Sequence, residues 1–185
     1  MIYLIRHCET EWNVLGRHTG KKTDLPLTEH GKSEAYRIAE FLQDKQFSKI
    51  FTSPLQRVMK TCEIAGYLEY AEVDPDLDEW DYGDYEGMTS EEIHKKNPSW
   101  NLFTGGAPHG ESIAQITERA DRFWKKIGPS EEDIAIFSSG HILRILIARW
   151  LGLSASHGRY FSLETGTLVL LGFEHETKVL IFPSV

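Results

Sequence analysis

The sequence predicts an α/β domain built as a three-layer sandwich, a mostly parallel central sheet with helices on both faces. Two observations carry this. Short apolar runs, residues 2–5 and 134–137 the clearest, read as buried strands. Helix-period stretches of about 10–15 residues alternate with such runs, the pattern of a sheet covered on both sides. A chain of 185 residues is long enough for one hydrophobic core without disulfide support. We expect a single domain over residues 1–185, with a short lid or cap at about 84–110.

Taken in order, the first strand covers about residues 2–6 and ends abruptly in Arg6-His7. Residues 15–27, with two glycines, a proline and scattered charges, read as a loop across that strand's end. Thr28 opens a helix whose apolar stripe is Ala35, Ile38, Ala39 and Leu42. Residues 49–52 form a second strand, and Ser53-Pro54 launches a helix with the proline near its first position. That helix carries Val58, Met59, Cys62 and Ala65 and stops at Gly66. Residues 70–73 read as a third strand. The run 76–87, acidic, aromatic and broken by glycine, fits neither period. Thr89-Ser90 starts a short helix through Lys95, and 98–110, with three glycines and two prolines, is irregular. Gly110-Glu111-Ser112 leads into a helix with Ile113, Ile116, Ala120, Phe123 and Ile127 on one face. After the strand at 134–137 come the turn Ser138-Ser139-Gly140-His141 and a helix over about 142–151. Two β-rich runs, 169–173 and 179–182, suggest an edge hairpin.

Composition narrows the function. A net charge of -8 argues against a nucleic-acid surface and means that an anionic substrate would need a local basic pocket. Two cysteines, Cys8 and Cys62, form no disulfide framework and suit a reducing compartment. No apolar run approaches the roughly 20 residues that span a bilayer, so a cytoplasmic protein without membrane partners is expected. The eight histidines show no metal-ligand spacing with the cysteines, and neither a P-loop nor a dinucleotide fingerprint occurs. No metal and no cofactor are expected.

Chemistry concentrates at strand ends. In open α/β sheets ligands bind beyond the carboxyl ends of the strands. There His7 reads either as a nucleophile accepting a phosphoryl group, with Arg6 on the phosphate oxygens, or as a locally satisfied histidine beside a surface arginine. Arg57, in the first turn of the helix after the second strand, leans toward the same edge. Two converging arginines in an acidic protein point to an anion, against the plainer reading of a solvated side chain. Glu79 is a candidate acid–base group, which a neighbouring phosphate would push to a raised pKa. Composition does not separate it from Asp76, Asp78, Asp81, Asp84 or Glu86, and Trp80, Tyr82 and Tyr85 could simply pack that loop. Ser139 and His141 could donate to a phosphoryl oxygen around Gly140, or the serine could cap the next helix. Arg144 and Arg149 read as helix-surface groups.

These residues resemble a known family. Arg6-His7-Cys8-Glu9-Thr10-Glu11-Trp12-Asn13 is similar to the signature of the histidine phosphatases, the superfamily that includes the cofactor-dependent phosphoglycerate mutases. Asp24-Leu25-Pro26-Leu27-Thr28, Thr52-Ser53-Pro54-Leu55-Gln56-Arg57 and Gly110-Glu111-Ser112 continue the likeness. The stretch from Glu79 to Gly87 looks especially like phosphatases related to fungal sedoheptulose-1,7-bisphosphatase, and α-ribazole phosphatases form another similar branch. The resemblance implies a phosphoglycerate mutase-like fold and a phosphohistidine at His7, with Glu79 as proton donor. It places Arg6, Asn13, Arg57, Ser139, Gly140 and His141 on the phosphoryl group, and Thr19, Gly20, Tyr82 and Trp100 near the substrate.

Two positions depart from the family. Cys8 stands where glycine is usual, and either crowds the turn or points into the core. Ser139 stands where the family carries its second phosphate-binding histidine. One lost contact of that kind costs about 3 kcal/mol, roughly a hundredfold in rate. No arginine lies between Gly87 and Gly110 to hold a second acidic group, which favours a phosphatase over a mutase. The expected partner is a small-molecule phosphate ester such as a sugar phosphate, turned over by a monomer or homodimer. A phosphoglycerate-type mutase and a weakened phosphate-binding protein are the alternatives.

Overall fold

Alternation along the first strand sets the architecture. In β1 (Ile2–Arg6), Ile2 and Leu4 pack into one buried cluster and Tyr3 and Ile5 into another, so the strand carries core on both faces. The computed structural model describes residues 1–183. The other strands are β2 (Lys49–Thr52), β3 (Glu72–Val73), β4 (Ile134–Ser138), β5 (Leu168–Glu174) and β6 (Thr177–Ile181). They form one sheet in the order β3-β2-β4-β1-β5-β6. The pairs β1–β4, β2–β4 and β2–β3 are parallel; β1–β5 and β5–β6 are antiparallel, so the predicted hairpin closes one edge.

The helices are α1 (Glu11–Val14), α2 (Glu29–Leu42), α3 (Gln56–Ile64), α4 (Ser90–Lys96), α5 (Leu102–Gly105), α6 (Ile113–Ile127) and α7 (Gly140–Trp150). Ala35, Ile38 and Leu42 of α2 and Val58 and Cys62 of α3 cover the Tyr3–Ile5 side. Ile116, Ala120 and Phe123 of α6 and Ile142, Leu143 and Leu146 of α7 cover the other. Three layers result, as the alternation predicts. Starts are marked by side-chain caps: Thr28 Oγ1 accepts from Gly31 N at 2.9 Å, and Thr89 and Ser112 head capping boxes. Each such cap stabilises its helix by about 1 kcal/mol.

Local differences have simple causes. Pro54 precedes α3 rather than opening it, because Leu55 keeps extended backbone at the N-cap. The third strand shrinks to two residues behind a 3-10 turn at Leu68–Tyr70. The predicted turn after β4 is instead the start of α7: Ser139 is its N-cap and Gly140 its first residue. Cys8 is fully buried and joins the core on the α2–α3 side, which resolves its two readings in favour of the core.

Candidate active site

Parallel pairing brings the C-terminal ends of β1, β4 and β2 side by side, with Arg6 in register with Ser138. His7, the residue after β1, is 3% exposed and donates its backbone N–H to the Ser138 carbonyl at 2.9 Å. Its Nδ1 lies 2.8 Å from the Cys8 carbonyl. A carbonyl can only accept, so Nδ1 carries the proton and Nε2 keeps its lone pair. Burial, then the charges of Arg57 and Arg6, hold the imidazole well below its usual pKa, and it stays neutral.

Arg6 gives Nη1 to the Leu163 carbonyl, while its Nε is buried with no partner. A Cβ on Gly140 would come within 3.1 Å of that guanidinium, so the glycine is what allows the approach. Arg57 is fully buried. Its Nη1 donates to the Thr23 carbonyl (3.0 Å) and reaches Asp24 Oδ1 (3.5 Å); Nη2 donates to the carbonyls of Gly20 (2.9 Å) and Thr19 (3.5 Å). Its Nε, too, has no partner. Thr19 and Gly20 therefore act first as holders of Arg57. Glu86 grips the same loop from the other side, its Oε1 accepting from Gly20 N (2.9 Å) and Thr23 N (3.1 Å).

Glu79 is seated on the N-terminus of α7. Oε1 accepts from Trp80 N (2.9 Å) and Ile142 N (3.0 Å), and Oε2 from His141 N (3.0 Å). Burial alone would raise its pKa, but the His141 ring and the backbone N–H donors outweigh that, and the carboxyl lies well below the ordinary range. This corrects the expectation of a raised value. Without an anion beside it, helix-end donors dominate.

His141 reaches the site with its backbone N–H and turns its ring to Tyr82, whose hydroxyl is 2.5 Å from Nδ1. Ser139 is fully buried, and among the described residues its Oγ makes neither a cap bond nor any other. Ser138 instead gives its hydroxyl to the Leu77 carbonyl at 2.6 Å. Asn13 has its Oδ1 engaged by Thr10 N (2.9 Å) and Thr10 Oγ1 (2.8 Å), a pairing that does not use its amide N–H groups. Trp100 stands further off, edge-on to His18 at 5.5 Å, and His18 in turn lies 5.1 Å from Tyr82 and 6.3 Å from His141. Among the described residues, three of the five buried polar atoms without a partner are Arg6 Nε, Arg57 Nε and Ser139 Oγ. All three can donate, and the charges of Arg57 and Arg6 are felt at His7, an arrangement that suits an anion.

Sequence reasoning missed three contributors. His18, which burial and the nearby His141 push down to about 4, lies in the loop expected to cross the strand's end, where only Thr19 and Gly20 were singled out. Glu86 was one of six indistinguishable acids. Arg144, expected on the helix surface, is half-buried over the Phe103 ring at 4.5 Å; Arg149 does lie outward, paired with Asp121 at 2.7 Å. No three His, Cys, Asp or Glu side chains among the described residues come together as a metal site. No helix among them is long and apolar enough to cross a membrane.

Fold and site together define a three-layer α/β protein with a neutral histidine between two arginines at the C-terminal edge of its sheet. The chain belongs to the histidine phosphatase superfamily, branch 1, which matches residues 2–183. It is 38% identical over 183 residues to an acid phosphatase of Mycobacterium tuberculosis, covering 97% of this chain and 89% of the relative. It is 36% identical to sedoheptulose 1,7-bisphosphatase of Saccharomyces cerevisiae, covering 81% and 67%. A solved structure of an open reading frame product from Mycobacterium tuberculosis superposes with a TM-score of 0.90 at 38% identity, covering 97% and 94%.

Proposed function

We propose that the protein hydrolyses a small-molecule phosphate monoester, a sugar phosphate or similar metabolite, through a phosphohistidine at His7. The observation that carries this is the tie between His7 Nδ1 and the Cys8 carbonyl, which leaves Nε2 as a neutral nucleophile on a ring that feels the charges of Arg57 and Arg6. In the first step Nε2 attacks phosphorus, the ester P–O bond breaks, and Glu79 gives its proton to the leaving alkoxide. In the second, water attacks phosphorus, the N–P bond breaks, and Glu79 takes a proton back. An arriving phosphoryl dianion raises the carboxyl's pKa by like-charge repulsion, which lets Glu79 hold the proton it must donate. Arg6 and Arg57 supply the positive charge through Nε, with Asn13, Gly140 and the His141 region completing the phosphoryl nest, so no metal is needed for charge balance. The segment at 84–110 serves as the lid, and its lack of arginine favours release to water over return to a second acceptor.

Ser139 sets the speed. A hydroxyl offers one short donor where a cationic ring would stabilise the transferring group more strongly. The test is phosphate release from a panel of monoesters by the wild type, His7→Ala and Ser139→His. We expect release to vanish in His7→Ala and to rise about 10- to 100-fold in Ser139→His. Hydrolysis that survives in His7→Ala sinks the phosphohistidine reading. Phosphoryl group retained on an acceptor instead of freed would make the protein a mutase.

A further inference from the structure

We propose that Arg144 is a specificity-determining residue that reads a second anionic group, carboxylate or phosphate, on the substrate away from the scissile ester. This rests on the hydrolase reading and adds the substrate class to it. Arg144 follows His141 by three residues on α7 and so shares its face. The guanidinium lies 4.5 Å over the Phe103 ring, and that ring is 5.4 Å from His141, so the cation and the site share one aromatic neighbour. Its charge is felt at Tyr82 and at His141.

Two bonds fix its orientation. Nε donates to the Gly158 carbonyl at 3.0 Å and Nη2 to the Arg159 carbonyl at 3.2 Å. Gly158 permits this closeness, since a Cβ there would sit 2.7 Å from Phe103 and 3.2 Å from the Arg144 carbonyl. Nη1 is left without a protein partner among the described residues. What sets Arg144 apart is charge. Of the arginines that are not exposed, Arg17, Arg57, Arg119 and Arg149 each have a carboxylate within 4.0 Å; among the described residues Arg6 and Arg144 have none. Arg6 belongs to the phosphoryl nest. A half-buried, immobilised and unpaired guanidinium in a chain of net charge -8 is a desolvated cation awaiting an anion. A purely structural arginine, clipping the 3-10 turn at Ala155–Tyr160 to α7, would affect all ligands alike.

Two matched pairs of ligands separate these roles: glycerol 3-phosphate against 3-phosphoglycerate, and a hexose 6-phosphate against the 1,6-bisphosphate. Affinities are measured by calorimetry in a His7→Ala background, where no turnover occurs, with Arg144, Arg144→Lys and Arg144→Gln. With Arg144 we expect the doubly anionic member of at least one pair to bind about tenfold tighter, about 1.4 kcal/mol. The ratio should fall to about one in Arg144→Gln and stay intermediate in Arg144→Lys, which keeps charge but loses the fork. A ratio near one with Arg144 present, a ratio unchanged in Arg144→Gln, or no binding of any ligand overturns the proposal. Preference that persists while the intact enzyme releases no phosphate would sink the hydrolase reading alone.

Discussion

At the scale of single residues, the site runs on two depressed pKa values that do opposite things. His7 must be neutral to attack, and burial with two arginines keeps it so even in acid. Glu79 must be protonated to assist departure, and its donors hold it ionised at neutral pH in the free enzyme. Lowering the pH therefore populates the productive Glu79 while leaving His7 unprotonated. We expect kcat/KM to fall as pH rises from about 5 to about 8, with the acid limb far below the ordinary histidine range. Glu79→Gln should flatten that profile and lower the rate by about 10²–10⁴-fold. A profile unchanged in shape in Glu79→Gln would remove Glu79 from the proton transfer. The sequence supplied the pair Arg6-His7 but not this tuning, since two of the three backbone donors on Glu79 come from residues 62 and 63 positions away.

The next scale is the element. The loop at 15–27 is irregular yet firmly held: Arg57 takes its carbonyls and Glu86 its N–H groups at Gly20 and Thr23. The loop's register in turn spends four of the five Arg57 N–H groups and leaves Nε for the ligand. Glu86→Ala should therefore raise KM about tenfold, because each bond to a charged acceptor is worth about 1.5–3 kcal/mol. Glu86→Gln, which keeps one acceptor oxygen, should stay within about threefold of wild type. Equal KM values across the three proteins, at equal folded fraction, would deny the loop its part in positioning Arg57. Helices and buried strands were legible because Ala35, Ile38 and Leu42, or Ile134 to Phe137, show their period within a few residues. The turns at Pro75–Leu77, Gly83–Tyr85 and Ala155–Tyr160 were not, because one or two 3-10 turns are too short to show a period. Glu86 and Arg144 stayed hidden for a related reason: their roles depend on partners brought in by the fold.

For the molecule as a whole, stability centres on β4, which is buried along its entire length between β2 and β1. Ile136 is fully buried in the cluster under α6 and α7. Ile136→Ala should cost about 2–5 kcal/mol by urea unfolding, whereas Phe173→Ser, at a 57% exposed position on β5, should cost under about 1 kcal/mol. Comparable losses from both would place the stabilising core elsewhere. The position of β1 has a consequence for biosynthesis. Among the six strands, the earliest in the chain is an inner one, and its two neighbours, β4 and β5, begin only at residues 134 and 168. For most of translation the His7 strand has no ladder to join, and its apolar residues stay without their final cover. Completion of the sheet must await β5 and β6, which begin at residues 168 and 177. A nascent chain stalled before β5 would carry every group of the His7–Glu79–Arg57 constellation and still leave one edge of β1 open to a stranger's strand.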